Sequence, residues 1–232
     1  MALIRPGGLV GQISGRLGGD VFSHNRYGQY VRAGTNPVTS TTSYALAAKA
    51  HMTSATQSWQ GLTAAQKLAW NAWSTTNPTL NRLGETIHLT GHAAFVGLNA
   101  RILAIPTGIQ TDPPIVSAPT PLISLSLTAD IGPGAFEFAY NATPLPATQR
   151  LWIKACVLDS TGINYVENYL RLIGTSASEQ ASPFDPQTLL QARFGELQVG
   201  QIIVATVSVI QIEDGQLSAP LRVQATVIDT TV

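Results

Sequence analysis

The spacing of apolar positions changes character along the chain, from short alternating runs to a helical period and back to alternation. Early on, Asp20-Val21-Phe22-Ser23-His24 and Gln29-Tyr30-Val31-Arg32-Ala33 flank Asn25-Arg26-Tyr27-Gly28, which predicts a β-hairpin with a glycine-closed loop. Val21 and Ser23 then share one face and Phe22 and His24 the other, just as Tyr30 and Arg32 oppose Gln29 and Val31. From Thr42 to Trp59, apolar residues recur at helical intervals (Tyr44, Ala48, Met52, Ala55, Trp59), and Gly61 ends the run. Thr63-Ala64-Ala65-Gln66 matches a capping box, in which hydroxyl and amide satisfy free backbone N–H groups, and opens a second helix that Asn77-Pro78 stops. Trp59, Trp70 and Trp73, with Leu62 and Leu68, supply enough apolar area to pack these two helices as antiparallel neighbours. After a turn at Leu83-Gly84 and a short strand over 86–89, Thr90 caps a third helix reaching about Leu103, with Phe95, Leu98 and Ile102 on one face.

Five prolines between Ile105 and Pro121 exclude helix and central strand there and predict a spacer. Beyond it, strand-like segments recur at 122–128, 134–140, 149–158, 163–173, 201–212 and 221–228, bounded by turn residues. The expected fold class is α+β in two units. An extended Gly/Arg-rich arm with a β-hairpin (1–43) leads into a small helical unit (44–104). A Pro-rich linker (105–121) then joins it to an all-β antiparallel sandwich (122–232).

Composition adds a reason for the arm. Residues 1–43 hold eight of the twenty glycines, which fill no core, and an isolated hairpin is marginal in water, so the arm needs a surface to lie on. Only 11% of residues are charged, which favours a surface covered by neighbours. The formal net charge is zero, but residues 1–104 carry eight Lys/Arg against two acids and the remainder five against eleven. A basic half and an acidic half suit head-to-tail association of copies; two ordinary domains of different pI are the alternative.

Candidate chemistry is sparse. The single cysteine, Cys156, excludes an internal disulfide and a cysteine-based zinc site and reads as a small buried hydrophobe in an apolar strand. His88 and His92 are four apart, but Thr90-Gly91 between them starts a helix, so they do not share a helix face as a metal pair would. HExxH, GxSxG, Walker A and strand-linked GxGxxG signatures are absent, and Gly15-Arg16-Leu17-Gly18-Gly19 lacks the preceding strand and following helix of a phosphate loop. Asp112, Asp130 and Glu137 are spaced without the local pairing of an acid/base couple. Arg5, Arg16, Arg26 and Arg32 with Phe22, Tyr27 and Tyr30 have the elements of a nucleic-acid grip, yet they equally suit an arm crossing an acidic neighbour, and the acidic half of the chain favours the latter. No 18-residue apolar stretch predicts membrane insertion, and the N-terminus lacks a signal-peptide pattern, so a cytosolic product is expected.

Three segments carry a family resemblance. They are Gly11-Gln12-Ile13-Ser14-Gly15-Arg16-Leu17-Gly18-Gly19-Asp20-Val21-Phe22-Ser23 with Gly28-Gln29-Tyr30-Val31-Arg32 and Pro37, then Trp59-Gln60-Gly61-Leu62-Thr63-Ala64-Ala65-Gln66-Lys67-Leu68-Ala69-Trp70, then Leu89-Thr90-Gly91-His92-Ala93-Ala94-Phe95-Val96-Gly97-Leu98-Asn99. Residues 11–104 thereby resemble poorly characterised structural-type proteins of tailed-phage and prophage genomes, which implies a virion or assembly component and brings no catalytic motif. The ending, from Gly215-Gln216-Leu217-Ser218-Ala219-Pro220-Leu221 through Val227, resembles the last hairpin of fibronectin type III-like domains.

The resulting expectation is a non-enzymatic structural protein without catalytic residues, cofactor or metal. Arg16, Val21, Phe22, Arg26, Tyr27, Tyr30 and Arg32 form its assembly arm, and Trp59, Leu62, Trp70, Trp73 and Phe95 its helical core. Its expected partners are copies of itself in a high-order homo-oligomer, and other virion proteins, rather than nucleic acid. The expected location is the virion. A bacterial extracellular filament or tube is the alternative, and a carbohydrate-binding or adhesive module with Trp152, Tyr165 and Tyr169 as a platform is the alternative of another class.

Overall fold

The computed structural model describes residues 2–4, 7–8, 10–25, 28–35, 39–80, 85–105, 107–115, 117–132, 136–141, 143–160, 162–163 and 165–230. The chain divides into two compact units, Met1–Leu46 and Ala47–Val232.

The first unit is a small antiparallel sheet. Strands β1 (Ala2–Leu3), β2 (Gly15–Leu17), β3 (Asp20–Asn25) and β4 (Gly28–Ala33) lie in the order β1-β4-β3-β2. The hairpin β3–β4 has the register that alternation implies, with Val21 opposite Arg32, Phe22 opposite Val31 and Ser23 opposite Tyr30. Gln29 fastens the preceding segment to the sheet: its amide donates to the Gly11 carbonyl at 3.1 Å and its oxygen accepts from the Ile13 N–H at 3.3 Å.

Helices open the second unit. Helix α1 (Ser43–Gln60) begins just before the unit boundary, and α2 (Ala64–Thr76) follows a tight turn. The capping box at α2 is complete, with the Thr63 hydroxyl accepting from the Gln66 N–H at 3.2 Å and the Gln66 side chain accepting from the Thr63 N–H at 3.1 Å. A two-strand ladder, β5 (Thr79–Leu80) with β6 (Thr86–Ile87), leads to α3 (Gly91–Ile102), whose N-cap Thr90 accepts from the Ala93 N–H at 3.2 Å. The expected turn at Leu83-Gly84 lies outside the described residues.

Packing of these helices departs from the expected α1–α2 pair. The close neighbours are α2 and α3, whose backbones meet where the Gly91 N–H donates to Asn71 Oδ1 at 3.1 Å, and only Ala55 and Trp59 of α1 join the shared core. Two features account for this. The apolar stripe of α1 is largely alanine, and its larger members Tyr44 and Met52 stay exposed, whereas α3 offers Phe95 and Leu98. Leu68, expected in the interface, is 70% exposed, because it points about 200° away from Trp70 on the helix.

Residues 105–121 are no spacer between independent bodies, since helices and strands belong to one compact unit. The proline-rich segment is fastened down instead. The indole N–H of Trp70 donates to the Thr111 carbonyl at 2.8 Å, and fully buried Asn99 clamps Gln110 in both directions, accepting from its N–H at 2.7 Å and donating to its carbonyl at 3.1 Å. Prolines stop this stretch from pairing its own backbone, so side chains of α2 and α3 supply partners.

The β region contains β7 (Ser124–Ala129), β8 (Phe136–Asn141), β9 (Gln149–Leu158), β10 (Arg171–Thr175), β11 (Ile202–Gln211) and β12 (Leu221–Thr226). The antiparallel sheet β10-β9-β11-β12 and the antiparallel pair β7-β8 contribute to one large core. That core includes Phe136, Phe138, Leu151, Ile153, Ile203, Ala205 and Val207. Both faces of β9 and β11 are covered, since Trp152 and Ile210 pack with Ile105, and Cys156 and Val204 with Val166. The C-terminal segment returns to β7, where Asp130 bridges Ile228 and takes hydrogen bonds from the Thr230 hydroxyl at 2.6 Å and the Gly132 N–H at 2.9 Å.

Two expectations in this region need correction. The strand expected over 163–173 is confined to β10, because the Tyr169 and Leu170 N–H groups both turn back to the Val166 carbonyl while the Val166 side chain fills the pocket over Cys156. A short helix, α4 (Gln187–Phe194), interrupts the strands, started by the Asp185 carboxylate accepting from the Gln187 N–H at 2.7 Å and anchored by fully buried Leu190. The mixed α+β architecture with antiparallel sheets is thus as expected at the level of class.

Candidate functional site

The feature of the first unit that bears on function is what it lacks. Among the described side chains of Met1–Leu46, none is buried, and none belongs to a hydrophobic core. A four-stranded sheet is stable by itself only when one face packs on something apolar. Here neither face is fully covered, and Leu17 stands 75% exposed.

Register assigns the sequence-predicted arm residues to faces. Directly opposed residues point to the same side, so Arg16, Val21 and Arg32 share a face with Ser23 and Tyr30, while Phe22, Val31, His24, Gln29 and Leu17 share the other. One face therefore pairs two guanidinium groups with a phenol, and the other mixes Leu17, Phe22, Val31 and Ala33 with Asp20, His24 and Gln29. Arg16 curls onto the turn after its strand, its Nε donating to the Gly18 carbonyl at 3.1 Å. Arg26 and Tyr27, also expected in the arm, lie outside the described residues. The sheet's edges are β1 and β2, so β2 offers an unpaired backbone rim of three residues.

The expected helical core residues gather elsewhere, in the second unit. Leu62, Trp70 and Phe95 are buried, and half-buried Trp59 and Trp73 pack against them. Trp70 meets Phe95 edge-on, centroids 5.3 Å apart at 89°, and Trp59 contacts Phe95 at 5.4 Å and His92 at 5.3 Å. His92 is thus a packing partner of Trp59. No group of three or more His, Cys, Asp or Glu placed to hold a metal occurs among the described residues.

Ionisable groups with shifted behaviour are dispersed. Burial pushes the Cys156 thiol up, away from the reactive thiolate. Burial likewise pushes Tyr140 up to about 12, with its hydroxyl donating to the Gln180 carbonyl at 2.7 Å. The Thr230 hydroxyl, aided by backbone N–H groups, holds Asp130 below the ordinary carboxylate range. No two of these groups form an acid/base couple or a nucleophile and its base.

Three cavities of the second unit are defined by the described residues, the smallest of about 180 Å³ beside Leu158 and Arg222; the two larger ones carry more polar groups. One, of about 330 Å³, sits on the outer face of the larger sheet, with Lys154, Glu167, Thr206 and Ser208 at its walls beside Trp152, whose buried indole N–H has no partner among the described residues. The other, of about 360 Å³, lies between α2 and α3 and includes Arg101. Sequence reading missed Arg101, which carries no motif; the only hint was an arginine one residue before the end of an apolar helix. Comparison of the chain with protein-family models, curated proteins and solved structures finds no match.

Proposed function

We propose that this chain is a non-enzymatic structural protein that assembles with copies of itself through its N-terminal sheet, as a component of a tailed-phage virion. The observation that carries this reading is the four-stranded sheet of Met1–Leu46 with no buried side chain among those described. A sheet of that kind gains its stability from a surface it lies on, and a repeated subunit supplies such surfaces in register. The basic face with Arg16 and Arg32 suits the acidic half of a neighbouring copy, residues 105–232, which carries five Lys/Arg against eleven Asp/Glu. The β region fits the reading as a sandwich of fibronectin type III-like kind, with β7-β8 as one layer and β10-β9-β11-β12 as the other.

A bacterial extracellular filament or tube uses the same arm contact, and the genes beside this one separate the two versions. The carbohydrate-binding alternative loses support, since Trp152 is only 7% exposed and its ring is not available to stack on a sugar beside Tyr165 and Tyr169.

Electron microscopy and light scattering of the purified chain test the proposal. Rings, tubes or filaments are expected for the full chain and a folded monomer for a chain lacking residues 1–36. A full-length monomer at all concentrations, or assembly that survives the deletion, overturns it.

A further inference from the structure

The cavity between α2 and α3 holds a cation without an anion. Arg101 lies in the last turn of α3, half-buried, and its Nη1 donates to the Gly215 carbonyl at 3.3 Å. No carboxylate lies within ion-pair distance of it among the described residues, which include every Asp and Glu of the chain. Burial pushes the guanidinium down from its ordinary value, the direction expected of a charge that has lost water and gained no counter-ion. The remaining N–H groups of the fork have no acceptor among the described residues and stay open to the cavity and its solvent, where an entering ligand can reach them.

The surroundings define what would satisfy it. Trp73, Leu89 and Leu98 are apolar members of the lining, Thr79 is a polar one, and the volume of about 360 Å³ is at the low end of small-molecule sites. A planar carboxylate matches the fork in two parallel hydrogen bonds, and an apolar body of one ring or a short chain fills the rest. We propose that this cavity binds a small carboxylic acid with an apolar body, its carboxylate paired with Arg101.

The site lies wholly within Ala47–Val232, so it stands or falls apart from the assembly role of the N-terminal sheet. The test titrates the full chain with benzoate, following tryptophan emission and heteronuclear NMR shifts of the Arg101 side chain, with benzamide and inorganic phosphate as competitors of different chemistry. Saturable benzoate binding below ~10 mM is expected, with benzamide and phosphate at least about tenfold weaker. Arg101→Met should lose binding by about tenfold or more, the loss of a charge-assisted pair, and Arg101→Lys should fall between. Gly97→Leu is the second variant. Gly97 lines the same cavity inside α3, a Cβ there meets nothing within 4 Å, and a leucine fits the helix while filling the space. It should fold and lose benzoate with Arg101 intact. Absence of saturable binding to the parent chain, benzamide or phosphate binding as tightly as benzoate, or undiminished binding in Gly97→Leu overturns the assignment.

Discussion

Replacing Gly215 with alanine tests whether the helices and the strands are one cooperative body. Gly215 lies in the loop between β11 and β12 at φ +72°, where a Cβ would sit 2.6 Å from the Leu98 carbonyl oxygen and 2.9 Å from Ile102 Cγ1, both on α3. Two costs therefore add. A left-handed conformation costs alanine about 1–2 kcal/mol, and forcing a methyl into a packed seam costs about 1–3 kcal/mol. Gly200 separates them, for it has φ +91° and open space where its Cβ would be. Gly200→Ala should thus show the backbone cost alone, and Gly215→Ala should exceed it by about 1–3 kcal/mol. For a body of this size the excess corresponds to roughly 2–12 °C in Tm. Calorimetry and urea unfolding, followed by tryptophan emission and by far-ultraviolet circular dichroism, read both variants. A single transition that moves together in both probes is expected. Equal losses in the two variants, or a helical transition that stays in place while the strand transition moves, would refute the seam.

Other consequences are equally direct. Asn99→Ala removes both hydrogen bonds to Gln110 and should cost about 2 kcal/mol, with faster amide exchange at Gln110 as the local sign; unchanged exchange there would contradict the clamp. Asp130 has a lowered pKa when folded, so its contribution is present above the ordinary value of 3.8 and is lost as pH falls through the folded value. Thermal scans between pH 5 and 2 should therefore show a steeper acid loss in the parent chain than in Asp130→Asn, and parallel curves would count against the Thr230 contact. Tyr140 runs the other way, its stability present below 10 and lost as pH rises through about 12, and a phenolate absorbance step near that pH should vanish in Tyr140→Phe.

What could be read from the sequence was local. The Thr63–Gln66 box and the β3–β4 register follow from neighbouring residues, and both appear as expected. Non-local choices were less legible. Whether α2 pairs with α1 or α3 depends on which partner offers more apolar area at the crossing, and Leu68 looks apolar in sequence while facing away from it. The prolines of 105–121 forbid regular structure but do not reveal that Asn99 and Trp70, far off in sequence, supply the missing hydrogen bonds. Asp185-Pro186 ahead of Leu189, Leu190 and Phe194 was a helix start overlooked among strand signals. As for the arm, alternation assigned its residues to faces, whereas the absence of any buried side chain among those described is a property of the whole fold.

That absence has a consequence in time. On the proposed role, in which the sheet's supporting surface belongs to another copy, the sheet would order at a rate that depends on encounter, whereas the larger unit has cores of its own. On the proposed role, assembly then shows a concentration threshold and a lag, because the first pair of subunits orders two sheets at once while each later arrival finds a surface already presented. Under that role, newly made chains would stay apart while dilute and commit together when abundant, a switch set by supply and requiring no separate trigger.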